Sequence, residues 1–176
     1  MLWQWLGGCA FLHKPLPTYE ILLAVTQALK LQRRTGKNRV MLVDDDPVIL
    51  DILSAQLHDL GMEVTSLQIC KQFWQIFTTF APDILVSDMQ MPDFDGIQLC
   101  QVVRTDPHFH HLPILFLSVH ATETEIDRAF AAGADDYISK STDCTQIATR
   151  IMRRLRREQR SDRDEATTKQ PKQRKN

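Results

Sequence analysis

Four polar pieces of this chain, each directly after an apolar run, carry residue types that could do chemistry together. Asp44-Asp45-Asp46 follows Arg39-Val40-Met41-Leu42-Val43, and Asp88 follows Asp83-Ile84-Leu85-Val86-Ser87. Ser118 follows Pro113-Ile114-Leu115-Phe116-Leu117, and Lys140 follows Tyr137-Ile138-Ser139. Brought together, the acids would repel one another unless a cation joined them. Mg²⁺ prefers hard oxygens and keeps waters, so carboxylates that leave room for phosphate oxygens suit it. A hydroxyl and one amine beside such a cluster complete what reversible phosphorylation of an aspartate with magnesium requires.

The elements that must position these groups follow from hydrophobic patterning. Val40–Val43, Ile84–Val86 and Ile114–Leu117 are short continuous apolar runs, as parallel strands covered on both faces require. From Val40 the pattern is strand then helix, repeated five times. Asp46 can cap the first helix and Pro47 suits its first turn. Ile49, Ile52, Leu53, Leu57 and Leu60 make its apolar stripe, and Gly61 stops it. A second stripe runs Ile69, Phe73, Ile76, Phe77 and Phe80. The third helix starts near Asp95-Gly96 and fades by Asp106-Pro107. Thr122-Glu123-Thr124-Glu125 is a capping box that opens the fourth, which ends at Gly133. The fifth carries Ile147, Ile151 and Leu155. Such alternation implies a doubly wound α/β domain whose site lies beyond the carboxyl ends of the strands.

A chain of 176 residues with 43% apolar content is one domain plus extensions. The net charge of −1 hides an asymmetry. Residues 1–39 hold six Lys/Arg and one acid, and residues 150–176 hold eleven against four. Residues 40–149 hold four basic residues against seventeen acids, a net of −13. A body this acidic is a poor nucleic-acid surface and a good cation binder. Cys9, Cys70, Cys100 and Cys144 lie far apart without a CxxC pair, the usage of reduced thiols in a cytoplasmic protein. No apolar run reaches the roughly 18 residues of a membrane helix. Leu6-Gly7-Gly8-Cys9 looks like a lipoprotein box, but no positive charge precedes it and the apolar stretch is too short for a signal peptide.

Residues 1–38 are better explained as a repeat. Gly7-Gly8-Cys9-Ala10-Phe11-Leu12-His13-Lys14 aligns with Gly133-Ala134-Asp135-Asp136-Tyr137-Ile138-Ser139-Lys140 at an offset of 126, which also pairs Ile21 with Ile147, Val25 with Ile151 and Leu29 with Leu155. Residues 1–38 thus read as the last strand and helix of a preceding copy plus a linker, a piece unable to build its own sheet. The tail, 159–176, is polar and charged and reads as disordered.

Residues 39–158 resemble the receiver domain of two-component response regulators. The likeness is carried by Leu42-Val43-Asp44-Asp45-Asp46-Pro47, Ser87-Asp88-Met89-Gln90-Met91-Pro92-Asp93-Phe94-Asp95-Gly96, Leu117-Ser118 and Gly133-Ala134-Asp135-Asp136-Tyr137-Ile138-Ser139-Lys140, in that order. The resemblance implies a flavodoxin-like fold, with five parallel strands and helices on both faces. It implies that Asp88 accepts a phosphoryl group from phosphohistidine on a sensor histidine kinase or phosphotransfer protein. Asp45, Asp88 and the Gln90 backbone carbonyl are the expected direct Mg²⁺ ligands, with Asp44 acting through water. Lys140 would neutralise phosphoryl charge, Ser118 would donate its hydroxyl and shift, and Tyr137 would swing inward with it. That movement would reach the face of the domain's fourth helix, fifth strand and fifth helix, where a second copy could dock. The chain would then act as a phosphoacceptor switch in a phosphorelay, catalysing only its own phosphorylation and dephosphorylation and signalling to a downstream protein by contact.

Three residues depart from the family pattern. Ser141 stands where proline is usual, so Lys140 is expected to be less tightly placed. Val119 replaces a small alanine and would crowd the phosphoryl group. Gln90 occupies a position that in the family tunes phosphoryl lifetime, and slow loss is expected. A phosphorylation-independent scaffold is the alternative reading. A haloacid-dehalogenase-type hydrolase fails because Asp44-Asp45-Asp46-Pro47-Val48 lacks the threonine that such enzymes need. Pro107-His108-Phe109-His110-His111 reads as a solvated loop, and Arg153, Arg154, Arg156 and Arg157 as cations near a helix end rather than a nucleic-acid contact.

Overall fold

The computed structural model describes residues 3–6, 10–13, 36–68, 72–92, 95–119 and 122–168. The chain divides into two compact units, 1–37 and 38–176. In the first unit, β1 (Trp3–Leu6) and β2 (Ala10–His13) pair antiparallel, with Trp3 opposite His13 and Leu6 opposite Ala10. A strand is therefore present where the repeat places one, at 10–13. The expectation that this piece builds no sheet is corrected, because a neighbouring antiparallel strand needs only a short connection. The helix expected around Ile21–Leu29 lies outside the described residues.

The second unit is a five-stranded parallel sheet of β3 (Arg39–Val43), β4 (Glu63–Leu67), β5 (Ile84–Asp88), β6 (Ile114–Ser118) and β7 (Asp136–Ser139), in the spatial order β4-β3-β5-β6-β7. The helices are α1 (Pro47–Asp59), α2 (Phe73–Phe80), α3 (Gly96–Thr105), α4 (Glu123–Ala131) and α5 (Cys144–Thr168). Alternate strand residues serve opposite faces. Met41, Val43, Leu85, Ile114, Phe116 and Tyr137 pack with α2, α3 and α4 residues such as Phe77, Leu99, Val103 and Ala129. Val40, Leu42, Ile84, Val86, Leu115 and Ile138 pack with Leu53 and Leu57 of α1 and Ile147, Ile151 and Leu155 of α5. The doubly wound architecture read from the patterning and the flavodoxin-like fold implied by the resemblance are both observed.

The helix signals act as expected at their ends. Asp46 accepts the Val48 N–H at the start of α1, Asp95 accepts the Ile97 N–H at the start of α3, and Thr122 and Glu125 form the reciprocal box at α4. Gly61 and Gly133 hold φ of +81° and +101°, where a side chain would be strained.

Two further expectations are corrected. On α1 the buried residues are Leu50, Leu53 and Leu57, whereas Ile52 and Leu60 of the expected stripe are 45% and 48% exposed. Leu50, Leu53 and Leu57 repeat at the three- and four-residue spacing that keeps one face toward the sheet, and Ile52 falls off it. Second, residues 159–168, expected to be disordered, continue α5 as helix. Arginine, glutamate, glutamine and alanine there are good helix formers. Residues 169–176 lie outside the described residues.

Candidate functional site

β3 and β5 are neighbours and end together, Val43 pairing with Ser87, so their following residues emerge side by side. Asp44 and Asp88 emerge there, 2% and 4% exposed. The Asp44 N–H donates to the Leu67 carbonyl of β4 at 3.1 Å, and Asp44 Oδ1 accepts the Asp46 N–H at 2.9 Å. The Gln68 amide donates to the Asp45 carbonyl at 3.2 Å and holds the acidic loop from the sheet edge. Asp44, Asp45 and Asp88 each bring one carboxylate oxygen within 4.8 Å of the others, the metal-type acid cluster among the described residues.

Lys140 enters from the turn after β7. Its Nζ donates to Asp88 Oδ2 at 2.8 Å and to Asp44 Oδ1 at 2.9 Å, with the lysine side chain 8% exposed. The expected looseness at Ser141 is not what the local hydrogen bonds show. The Lys140 N–H donates to the Ser118 carbonyl at 2.8 Å, and the Thr142 N–H closes a turn onto the Ser139 carbonyl at 2.9 Å. Ser139 Oγ accepts the Ser141 N–H at 3.2 Å and lies 2.7 Å from Ser141 Oγ. Serine supplies an N–H and a hydroxyl that proline lacks, and both are used.

Ser118 is the last residue of β6, 1% exposed, and pairs in register with Ser139. The residue before it, Leu117, is paired with Asp88, so the hydroxyl residue and the acid end adjacent strands. Tyr137 is 9% exposed and packs within the α2–α3–α4 face of the core. Val119 is 69% exposed, turned largely to solvent. The Gln90 N–H donates to Asp88 Oδ1 at 3.3 Å, while its side-chain amide donates to Glu125 Oε1 of α4 at 3.1 Å. Gly96 has the Asp88 carbonyl where a Cβ would stand, so any larger residue would push α3 off the strand end.

Electrostatics follow from this crowding. Burial pushes the Asp88 pKa above the ordinary 3.8. The Lys140 hydrogen bond and charge and the Gln90 N–H oppose that rise without cancelling it, and the Asp44 charge adds to it. For Lys140, burial lowers the pKa, but the hydrogen bonds and charges of Asp88 and Asp44 outweigh it and hold the group above 10.5. One ammonium serves two of the three clustered carboxylates, and Asp44 Oδ2 is buried with no hydrogen-bond partner. A hard divalent cation matches both the surplus charge and the orphaned oxygen.

Sequence reasoning brought Asp44, Asp45, Asp88, Ser118 and Lys140 to one edge correctly. It did not find the Gln90–Glu125 bond, the Gln68 brace or the buried approach of Gly96. The histidine loop stays a loop: His110 Nδ1 lies 2.9 Å from the Pro107 carbonyl and Phe109 packs on Phe77. Arg154 and Arg150 pair with Asp135 and Asp136. No helix among the described residues is long and apolar enough to cross a membrane.

Residues 40–152 match the response regulator receiver domain. Protein RcaC of Microchaete diplosiphon is 42% identical over 151 residues, covering 86% of this chain and 23% of RcaC. The DNA-binding dual master transcriptional regulator RpaA of a Synechocystis strain is 30% identical over 119 residues, 68% of this chain and 49% of RpaA. The chain thus spans about a quarter of one relative and about half of the other. Among solved structures, the response regulator DrrB of Thermotoga maritima superimposes with a TM-score of 0.62 at 28% identity, over 69% of this chain and 54% of that one.

Proposed function

The chain belongs to the response regulator receiver family, and from that premise we propose that it is a phosphoacceptor switch whose reactive group is Asp88. The observation that carries this reading is Lys140 Nζ at 2.8 Å from Asp88 Oδ2 and 2.9 Å from Asp44 Oδ1, beside an Asp44 oxygen with no partner. A carboxylate oxygen of Asp88 attacks the phosphorus of a donor phosphohistidine. The bond from phosphorus to the donor nitrogen breaks, and its electron pair leaves with the imidazole. Positioning and charge neutralisation dominate such a transfer.

Asp45, Asp88, the Gln90 carbonyl and, through water, Asp44 would hold the metal. When bound, Mg²⁺ supplies positive charge to the transferring phosphoryl oxygens. Lys140 already faces the nucleophile and exchanges its Asp88 contact for a phosphoryl oxygen. Ser118, at the end of the next strand, supplies a hydroxyl donor. Tyr137 would follow Ser118 and carry the change to the α4–β7–α5 face, the surface we assign to a downstream protein or a second copy. A histidine kinase or phosphotransfer protein is the expected donor. Residues 1–38 are read as the end of a preceding receiver-like copy, on the strength of the 126-residue offset.

Incubation with Mg²⁺ and acetyl phosphate tests the reading by mass spectrometry. One added phosphoryl group, abolished by Asp88→Asn, is expected. A chain that gains no mass, or that gains it equally with Asp88→Asn, sinks it.

A further inference from the structure

We propose that Glu125, on the first turn of α4, is a positioning residue for the loop beyond Asp88 and sets how long its phosphoryl group survives. This rests on the phosphoacceptor reading above. Two elements distant in sequence meet at this point. The Gln90 backbone N–H donates to Asp88 Oδ1 at 3.3 Å, and the Gln90 side-chain amide donates to Glu125 Oε1 at 3.1 Å. The other carboxylate oxygen of Glu125, Oε2, accepts the Thr122 hydroxyl at 2.8 Å and the Thr122 N–H at 3.5 Å. Both oxygens of one carboxylate are thereby engaged. One is tied to the helix cap and one to the residue that touches the nucleophile.

The chemistry at stake is hydrolysis of phospho-Asp88. A water oxygen forms a bond to phosphorus, the bond from phosphorus to the Asp88 oxygen breaks, and the electron pair leaves with the carboxylate. The water's protons pass to the released phosphate and to solvent. That water needs a neighbouring group that can orient it, and a primary amide can both accept and donate. Gln90 is two residues from Asp88, and its amide nitrogen is held by Glu125 on α4. An amide bound there is withheld from the attacking water. Releasing it gives the loop freedom and gives water a partner.

Four variants decide the matter when phosphorylated with acetyl phosphate, cleared of excess and followed by mass as the phosphoryl group is lost. Glu125→Ala is expected to shorten the lifetime by roughly fivefold, the scale of one side-chain hydrogen bond. In a Gln90→Ala background the same substitution is expected to change nothing, because the two act as one unit. Glu125→Gln keeps an acceptor for Gln90 and a residue that still suits the capping box, and it is expected to retain the wild-type lifetime. Thr122→Ala removes the partner hydroxyl of the cap yet leaves the Gln90 bond, so it separates helix stability from positioning and is expected to leave the lifetime unaltered.

A Glu125→Ala effect that persists without Gln90, one matched by Thr122→Ala, or equal decay in all variants overturns the inference while leaving the phosphoacceptor reading intact. No mass gain in the wild-type chain overturns both.

Discussion

Two ionic clusters sit at opposite ends of β7, and they are assembled on opposite principles. At its start one carboxylate serves two guanidiniums. Asp135 Oδ2 accepts from Arg104 at 2.9 Å and from the Ile114 N–H at 2.8 Å, and Oδ1 accepts from Arg154 at 2.6 Å. Arg104 also donates to the carbonyls of Gly133, His110 and Leu112. At the other end one ammonium serves two carboxylates, with a third acid nearby and Asp44 Oδ2 buried without a partner. The first cluster has more positive than negative charge and joins α3, β6, the loop before β7 and α5. The second is short of positive charge. Buried polar groups are normally satisfied, and the unpartnered Asp44 Oδ2 among three acids suits a cation.

The largest expected effect tests the cluster around Asp135. Asp135→Ala leaves two arginines facing each other and should destabilise the fold by about 3 kcal/mol. Urea unfolding would read this, and a loss under about 1 kcal/mol would place Asp135 among ordinary surface acids. The folded fraction should still take a phosphoryl group at the wild-type rate.

Lys140→Ala tests the deficient cluster in the opposite sense. Phosphorylation by acetyl phosphate should slow by about 100-fold, the cost of removing one preorganised charge from the transferring group. A drop below about tenfold would mean the metal alone carries the charge.

Metal and pH give the finest test. With its folded pKa above 3.8, Asp88 is protonated more readily in the folded than in the unfolded chain. Its contribution to stability is full below pH 3.8 and lost as pH rises through the raised value. Lys140, held above 10.5, contributes fully below that value and loses its contribution at higher pH, outside this window. Metal-free Asp88→Asn should therefore gain stability relative to the wild type as pH rises from about 4 toward 7. Mg²⁺ at a hundredfold excess over its Kd should stabilise the wild type at neutral pH by about 2–3 kcal/mol, and the gain should shrink on acidification as Asp88 takes up its proton. Thermal melts with Mg²⁺ and with chelator would read both, and identical curves would deny a metal any place in the pocket.

The contrast also explains what was legible in the sequence. Asp44, Asp88, Ser118 and Lys140 could be read because apolar runs fix where parallel strands end, and the residue after each run has nowhere else to go. Helix starts at Asp46, Asp95 and Thr122 could be read because capping is local. The axis of α1 was harder. Val48, Ile49, Leu50, Ile52 and Leu53 offer several overlapping stripes, and only the sheet chooses Leu50 over Ile52. Contacts made by long side chains across the fold left no mark in the sequence. Gln90 meets Glu125 at a separation of 35 residues, and Arg104 meets Asp135 at 31. Neither pair shares a period or a motif. The serine turn at Lys140 was misjudged for a related reason: the proline pattern spoke for rigidity, while the hydrogen bonds of Ser139 and Ser141 supply it differently.

α5 buries Leu155 and continues as helix to Thr168. The 13 residues from Arg156 to Thr168 span about 20 Å at the rise of an ordinary helix. Such a length of helix is a lever arm measured from Leu155. A tilt of about 10° there sweeps the far end by roughly 3 Å. Displacements too slight to disturb the sheet are thus magnified by simple leverage before they reach whatever meets Thr168.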